Sequence, residues 1–256
     1  MAKDYKKIAA SKIRKPGQNM PRILVYARNK KGKTHFCSTA PNVLIVDPEG
    51  GADYLSENVD VWPVEGWEDI DEVLNYLKTS EGRERFKWVA LDGMTRIQNM
   101  ALKFVMKKAE EQDLTRQPGM VSQRDYGKAG ELIKGMLYSY HSLPQGIIYT
   151  AQERQDDGGA VFDEDEDVES ADIRYVPDLP KGISNSINGI VDVIGRIYTV
   201  RVDHPKEDSQ VTVRRMWLSP VEQLDTGGRS QYKLPDYLKR PTVPRLIETL
   251  ETGGTK

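Results

Sequence analysis

Eight residues, Ala27-Arg28-Asn29-Lys30-Lys31-Gly32-Lys33-Thr34, carry the clearest chemistry in the chain. They follow the apolar run Ile23-Leu24-Val25-Tyr26 and approximate G-x-x-x-x-G-K-[ST]. At that spacing a strand-to-helix turn cradles phosphates on backbone N–H groups, the lysine reaches the β and γ groups, and the hydroxyl holds Mg²⁺. Gly32, Lys33 and Thr34 stand where this needs them, whereas Ala27 stands where the first glycine belongs. A Cβ there narrows the turns open to the backbone. The candidate phosphate-contacting set is Ala27 to Thr34 together with His35, where a helix would begin. The competing reading is a basic surface loop that contains Gly-Lys-Thr by coincidence. A β-branched run in front and helix-compatible residues behind, ended by Pro41, favour the phosphate site.

Three further strand-like runs end in polar groups. Asn42-Val43-Leu44-Ile45-Val46-Asp47 leads into Pro48-Glu49-Gly50-Gly51, and Lys87-Trp88-Val89-Ala90-Leu91-Asp92 leads into Gly93. Gly146-Ile147-Ile148-Tyr149-Thr150-Ala151 ends at Gln152. Short β-branched runs of this kind are buried in parallel sheets, and open α/β sheets bind ligands at their carboxyl ends. Asp92 is accordingly the candidate to order Mg²⁺ through its water. Glu49 is the candidate to activate a water, since Gly93 leaves no acid beside Asp92. Gln152 is the candidate to sense a γ-phosphate by hydrogen bonding. Helix capping by Asp47, Glu49 and Asp92, and an ordinary turn at Gln152, are the alternatives.

The elements that must position these groups follow from length and patterning. A chain of 256 residues with 38% hydrophobic and 30% charged residues and net charge −2 is an ordinary globular protein, not a polycation. Any nucleic-acid site must be local. The lone Cys37 excludes an intramolecular disulfide, and with three scattered His it argues against structural zinc. A reducing cytoplasm fits, and no apolar stretch approaches the roughly 18 residues that span a bilayer, so no membrane partner is expected. The predicted fold class is α/β, with a mostly parallel central sheet, helices on both faces and an antiparallel extension. Residues 1–21 read as a basic arm and residues 22–256 as one domain, with an acidic mobile insertion at about 153–172 that holds ten acids.

Helical spacing marks residues 68–79, 95–113 and about 120–141. The last carries Arg124, Tyr126, Lys128, Lys134, Tyr138 and Tyr140, an interleaving of bases and tyrosines that suits a single strand. A solvated helix face is the alternative. The runs 189–197 and 210–218 read as an antiparallel pair. The closing segment presents Arg229 in a Gly-rich turn before Leu234-Pro235 and ends in a helix through Leu246 and Leu250.

The order Gly32-Lys33-Thr34, Asp47-Pro-Glu49, Leu91-Asp92, Thr150-Ala-Gln152-Glu153, Gly189-Ile-Val-Asp192 and Arg229 with Leu234-Pro235 resembles the RecA-type ATPase core. It looks most similar to the small RecA-like single-strand annealing and recombination ATPases of bacteriophages, the phage nucleotide-binding proteins. The resemblance implies that Lys33 and Thr34 bind Mg²⁺–ATP, Asp92 supports the metal and Glu49 activates water. It further implies that Gln152 couples nucleotide to DNA and that Arg229 or Lys233 reaches a neighbour's nucleotide in a homo-oligomeric ring or filament. Single-stranded DNA, a single-stranded-DNA-binding protein and a bacterial host cytoplasm follow from the same likeness. The chain departs from the pattern at Ala27 and in the acidic run at 156–172. The alternative functions are a non-catalytic nucleotide switch that assembles with replication or recombination partners, and a small-molecule kinase. No Arg-rich lid supports the kinase.

Overall fold

β-branched and aromatic runs form the strands of one sheet, and the amphipathic segments between them form the helices. The computed structural model describes residues 19–156, 173–204 and 209–254. In chain order the strands are β1 (Arg22–Ala27), β2 (Val43–Asp47), β3 (Asp60–Pro63), β4 (Trp88–Asp92), β5 (Gly146–Asp156) and β6 (Arg174–Pro177). They continue as β7 (Val193–Asp203), β8 (Gln210–Trp217), β9 (Gly227–Gly228) and β10 (Tyr237–Lys239). The helices are α1 (Lys33–Ser38), α2 (Trp67–Leu77), α3 (Ser80–Arg85), α4 (Met94–Gln112), α5 (Gln123–His141), α6 (Lys181–Ile190) and α7 (Val243–Thr252).

The sheet order is β10-β8-β7-β1-β5-β4-β2-β3. Strands β7, β1, β5, β4, β2 and β3 run parallel, while β8 and β10 add an antiparallel edge beyond β7. The fold is thus mixed α/β with a mostly parallel central sheet flanked by helices. Period-two alternation divides the core. Leu24 and Tyr26 of β1 enter a cluster with Ile70, Val73, Ile97, Ile133 and Ile187 of α2, α4, α5 and α6. Ile23, Val25 and Ala27 enter a second cluster with Phe36 and Cys37 of α1 and Val243 and Leu246 of α7. Burial of both faces explains why β1, β2 and β4 read as unbroken apolar runs. Local signals set helix starts. Ser122 and Asp125 form a capping box on α5, and the Thr242 side chain accepts from Arg245 N on α7.

Several details differ from the sequence reading. Strand β5 continues through Glu153 to Asp156, where β6 pairs with it antiparallel, so residues 153–156 belong to the sheet and not to an acidic insertion. Residues 157–172, the basic arm over 1–18 and the hairpin connection 205–208 lie outside the described residues. The segment 189–197 is not one strand, because α6 continues to Ile190 and β7 begins at Val193, where it pairs parallel with β1 as well as antiparallel with β8. Tyr140 does not stand on an exposed face of α5. It is fully buried and its hydroxyl donates to Ile70 O at 3.0 Å, whereas Arg124, Tyr126, Lys128 and Tyr138 are exposed.

Candidate nucleotide site

Parallel strands align their carboxyl ends, and this alignment gathers the polar residues at one edge. Strand β5 lies between β1 and β4, so register sets Ala27 opposite Gln152 and Asp92 opposite Thr150. Strand β2 adds Asp47 and Glu49 on the far side of β4. Residues from four separate segments therefore meet at the carboxyl end of the sheet.

The loop that leaves β1 turns through left-handed backbone at Lys30 (φ 60°) and Gly32 (φ 100°) and enters α1 at Lys33. No side chain caps that helix, so its first N–H groups have no local side-chain acceptor. Ala27 is accommodated because it is still the last residue of β1. Its backbone pairs with Gln152 in extended geometry and its Cβ packs in the core beside Phe36, so the left-handed turning starts beyond it.

Lys33 is buried, and its ammonium donates to Ala27 O at 3.2 Å and to Gln152 Oε1 at 3.0 Å. Burial lowers the pKa of this ammonium, opposed by the carboxylates of Asp92 and Glu49. Both acceptors are neutral, so phosphate oxygens can displace them and gain a charge-assisted bond. Gln152 is pinned through its backbone, whose N–H donates to Thr95 Oγ1 at 3.4 Å and whose carbonyl accepts from Asp178 N at 2.8 Å. Only its side chain is left to respond.

The acids are arranged in depth. Asp47 is structural, accepting from Glu49 N and Ala52 N at 2.9 Å each and so shaping the loop that carries Glu49. Asp92 is buried and accepts from Thr150 Oγ1 at 2.7 Å. Burial raises its pKa, opposed by hydrogen bonds from Thr34 and Thr150. The Thr34 hydroxyl acts on both the Asp92 carboxyl and the Tyr54 hydroxyl, lowering the pKa of each against burial. Glu49 carries its carboxylate against Gly93, and burial first, then Asp92, raises its pKa while Lys33 opposes. Hard oxygen donors beside a hydroxyl, a buried ammonium and a glycine turn fit Mg²⁺ and a triphosphate. Thr34 directly and Asp92 through water would hold the metal.

Other predicted residues lie elsewhere. Arg28 turns away from the cleft to Glu153, whose side chain is 2% exposed and also accepts from Arg196 Nε at 2.7 Å. Both guanidiniums approach the Tyr175 ring, at 5.9 and 4.7 Å from its centroid. Arg229 is not brought to the loop of its own chain. Its N–H donates to Asp192 O and its guanidinium to Gly189 O at 2.8 Å, at the amino end of β7, the opposite edge of the sheet. Sequence reasoning missed Tyr54 and Arg214 at the cleft. Neither lies at a strand end or in a recognisable motif, so no signal in the chain marks them.

The model of a family described as an AAA domain matches residues 19–230. The chain belongs to this family. No curated protein matches it. Membership places the domain among the P-loop NTPases and implies nucleotide binding, typically with Mg²⁺. Among the described residues no helix is long and apolar enough to cross a membrane.

Proposed function

We propose that this AAA domain binds Mg²⁺–ATP between Lys33, Thr34 and Asp92, hydrolyses it with Glu49 as base, and uses the cycle to bind single-stranded DNA and promote strand annealing or recombination. The observation that carries the nucleotide half is the convergence of Lys33, Gln152, Asp92 and Glu49 from four segments at one end of the sheet. Bound Mg²⁺ supplies neutralisation of phosphate charge. Glu49 then accepts a proton from the attacking water, a role its raised pKa favours because a base matched to the working pH transfers protons best. Gln152 gives a route from nucleotide to strand end, since a γ-phosphate that takes Lys33 frees Gln152 Oε1. The exposed Arg124, Tyr126, Lys128 and Tyr138 of α5 support the single-strand reading, as stacking and phosphate pairing need no sequence. A homo-oligomer, with Arg229 serving a neighbour's nucleotide, belongs to the same proposal.

The second reading, a nucleotide switch without turnover, draws on the same Lys33–Gln152 contact, because its exchange requires binding alone. ATP hydrolysis with and without single-stranded DNA separates the two. Under the proposal DNA stimulates turnover, Lys33→Ala abolishes binding, and Glu49→Gln keeps nucleotide while losing about 10²- to 10⁴-fold in rate. Binding by the parent with no turnover in either condition selects the switch.

A further inference from the structure

The β7–β8 hairpin docks on the phosphate loop through one cross-strand pair, Thr199 and Arg214. Lys31 Nζ donates to Thr199 Oγ1 at 3.1 Å. A Cβ built on Gly32 would stand 2.7 Å from Arg214 Nε and 3.0 Å from Cζ, so the guanidinium occupies space that only a glycine leaves open. Arg214 is nonetheless exposed, and among the described residues no carboxylate is paired with it. An arginine held against a loop with no anionic partner is a cation awaiting one.

The adjoining cleft has the matching chemistry. A cavity of about 680 Å³ opens between Lys30 and His35 on the loop side and Thr199, Arg214, Arg240 and Thr242 opposite. Its lining includes three permanent cations, Lys30, Arg214 and Arg240, and no carboxylate among the described residues. Its volume is in the range of cavities that enclose small ligands. Lys30 and His35 flank Lys33 and Thr34 in the chain, so the cavity lies beside the loop.

Resting on the nucleotide reading above, we infer that Arg214 is the cation each chain supplies to its own nucleotide's phosphates, and that this cavity seats the nucleoside. The guanidinium fork pairs phosphate oxygens bidentately, which an ammonium does not reproduce.

The test uses the full chain with Arg214→Ala, Arg214→Lys and Lys33→Ala, titrated with ATP and ADP. The Arg214 side chain is exposed, so Arg214→Ala should keep the parent's melting temperature while ATP affinity falls at least about tenfold, as the loss of one charge-assisted pair implies. Arg214→Lys should recover part of that loss. ATP affinity within twofold of the parent in Arg214→Ala overturns the inference, and if Lys33→Ala has lost binding in the same assay the site itself still stands. If Lys33→Ala also binds as the parent does, the underlying nucleotide site is what fails. Mixing Arg214→Ala with Lys33→Ala should restore no ATP binding or turnover beyond the separate proteins, because neither chain holds both groups. Recovery in the mixture would move Arg214 to a neighbour's site and overturn the assignment within one chain. For Arg229, proposed to act across subunits, the same mixture with Lys33→Ala should regain turnover.

Discussion

Gly93→Ala tests how Glu49, the proposed catalytic carboxylate, is placed. Gly93 sits at φ 131°, a conformation L residues rarely adopt, and a Cβ there would come within 2.9 Å of Glu49 Oε1 and 3.3 Å of its Cδ and Cγ. The missing side chain that denies Asp92 an acidic neighbour is therefore what lets Glu49 lie across the end of β4. Backbone strain of this kind costs about 1–3 kcal/mol. Unfolding entropy of about 2.1 cal/mol/K per residue amounts to about 0.5 kcal/mol/K for a chain of this length, so the melting temperature should fall by about 2–6 °C. The carboxylate must also move, and turnover should drop toward the level of a Glu49→Gln variant, about 10²- to 10⁴-fold. Thermal unfolding of the nucleotide-free protein and single-turnover ATP hydrolysis read the two effects separately. In a Glu49→Ala background Gly93→Ala should keep its thermal cost and lose its kinetic one. Full turnover in Gly93→Ala would refute the placement of Glu49 by Gly93, and an unchanged melting temperature would refute the strain.

Asp92→Asn should raise the melting temperature of the nucleotide-free protein at pH 7 while abolishing Mg²⁺-dependent ATP binding. Because the folded-state pKa of Asp92 is raised, the folded protein holds that proton more tightly than the unfolded chain, and stability falls as pH rises through the window above the ordinary value of 3.8. The gain should vanish when pH is lowered below that window, and a variant that melts below the parent at pH 7 would show that the Thr34 and Thr150 hydrogen bonds outweigh desolvation. For the parent, Mg²⁺–ATP affinity should weaken as pH falls through the raised values of Asp92 and Glu49, measured by calorimetric titration at constant ionic strength. Glu153→Ala leaves Arg196 without its buried acceptor and should cost about 1–3 kcal/mol in denaturant unfolding. Arg28→Ala, whose side chain is 59% exposed, should cost under about 1 kcal/mol, and equal costs would argue against the burial-based ranking.

The strand-to-helix turn with Gly32-Lys33-Thr34, the strands ending in Asp47 and Asp92, the buried start of β5 and the long helices α4 and α5 were legible in the chain. Each is signalled by neighbours in sequence: a β-branched run, a glycine with Lys-Thr, a period of 3.6. The mostly parallel sheet followed, since buried parallel strands read as unbroken apolar runs. Tertiary structure decided which ends meet. That β5 separates β1 from β4, and so delivers Gln152 to Lys33, is a matter of strand order, on which local pattern is silent. Tyr140 and Tyr138 share a helix and a residue type, yet one donates to Ile70 O in the core and the other faces solvent, because the helix's rotation against α2 and the sheet is set by packing. Glu153 reads as the first acid of an acidic run until β6 and the arginines at 28 and 196 enclose it. Arg214 and Arg229 are alike as exposed arginines late in the chain. Pairing of β8 with β7 carries the first over Gly32, while the β9 turn ties the second to Asp192 at the opposite edge. Contacts between residues far apart in the chain are fixed by the register and order of strands, and those are properties of the assembled sheet.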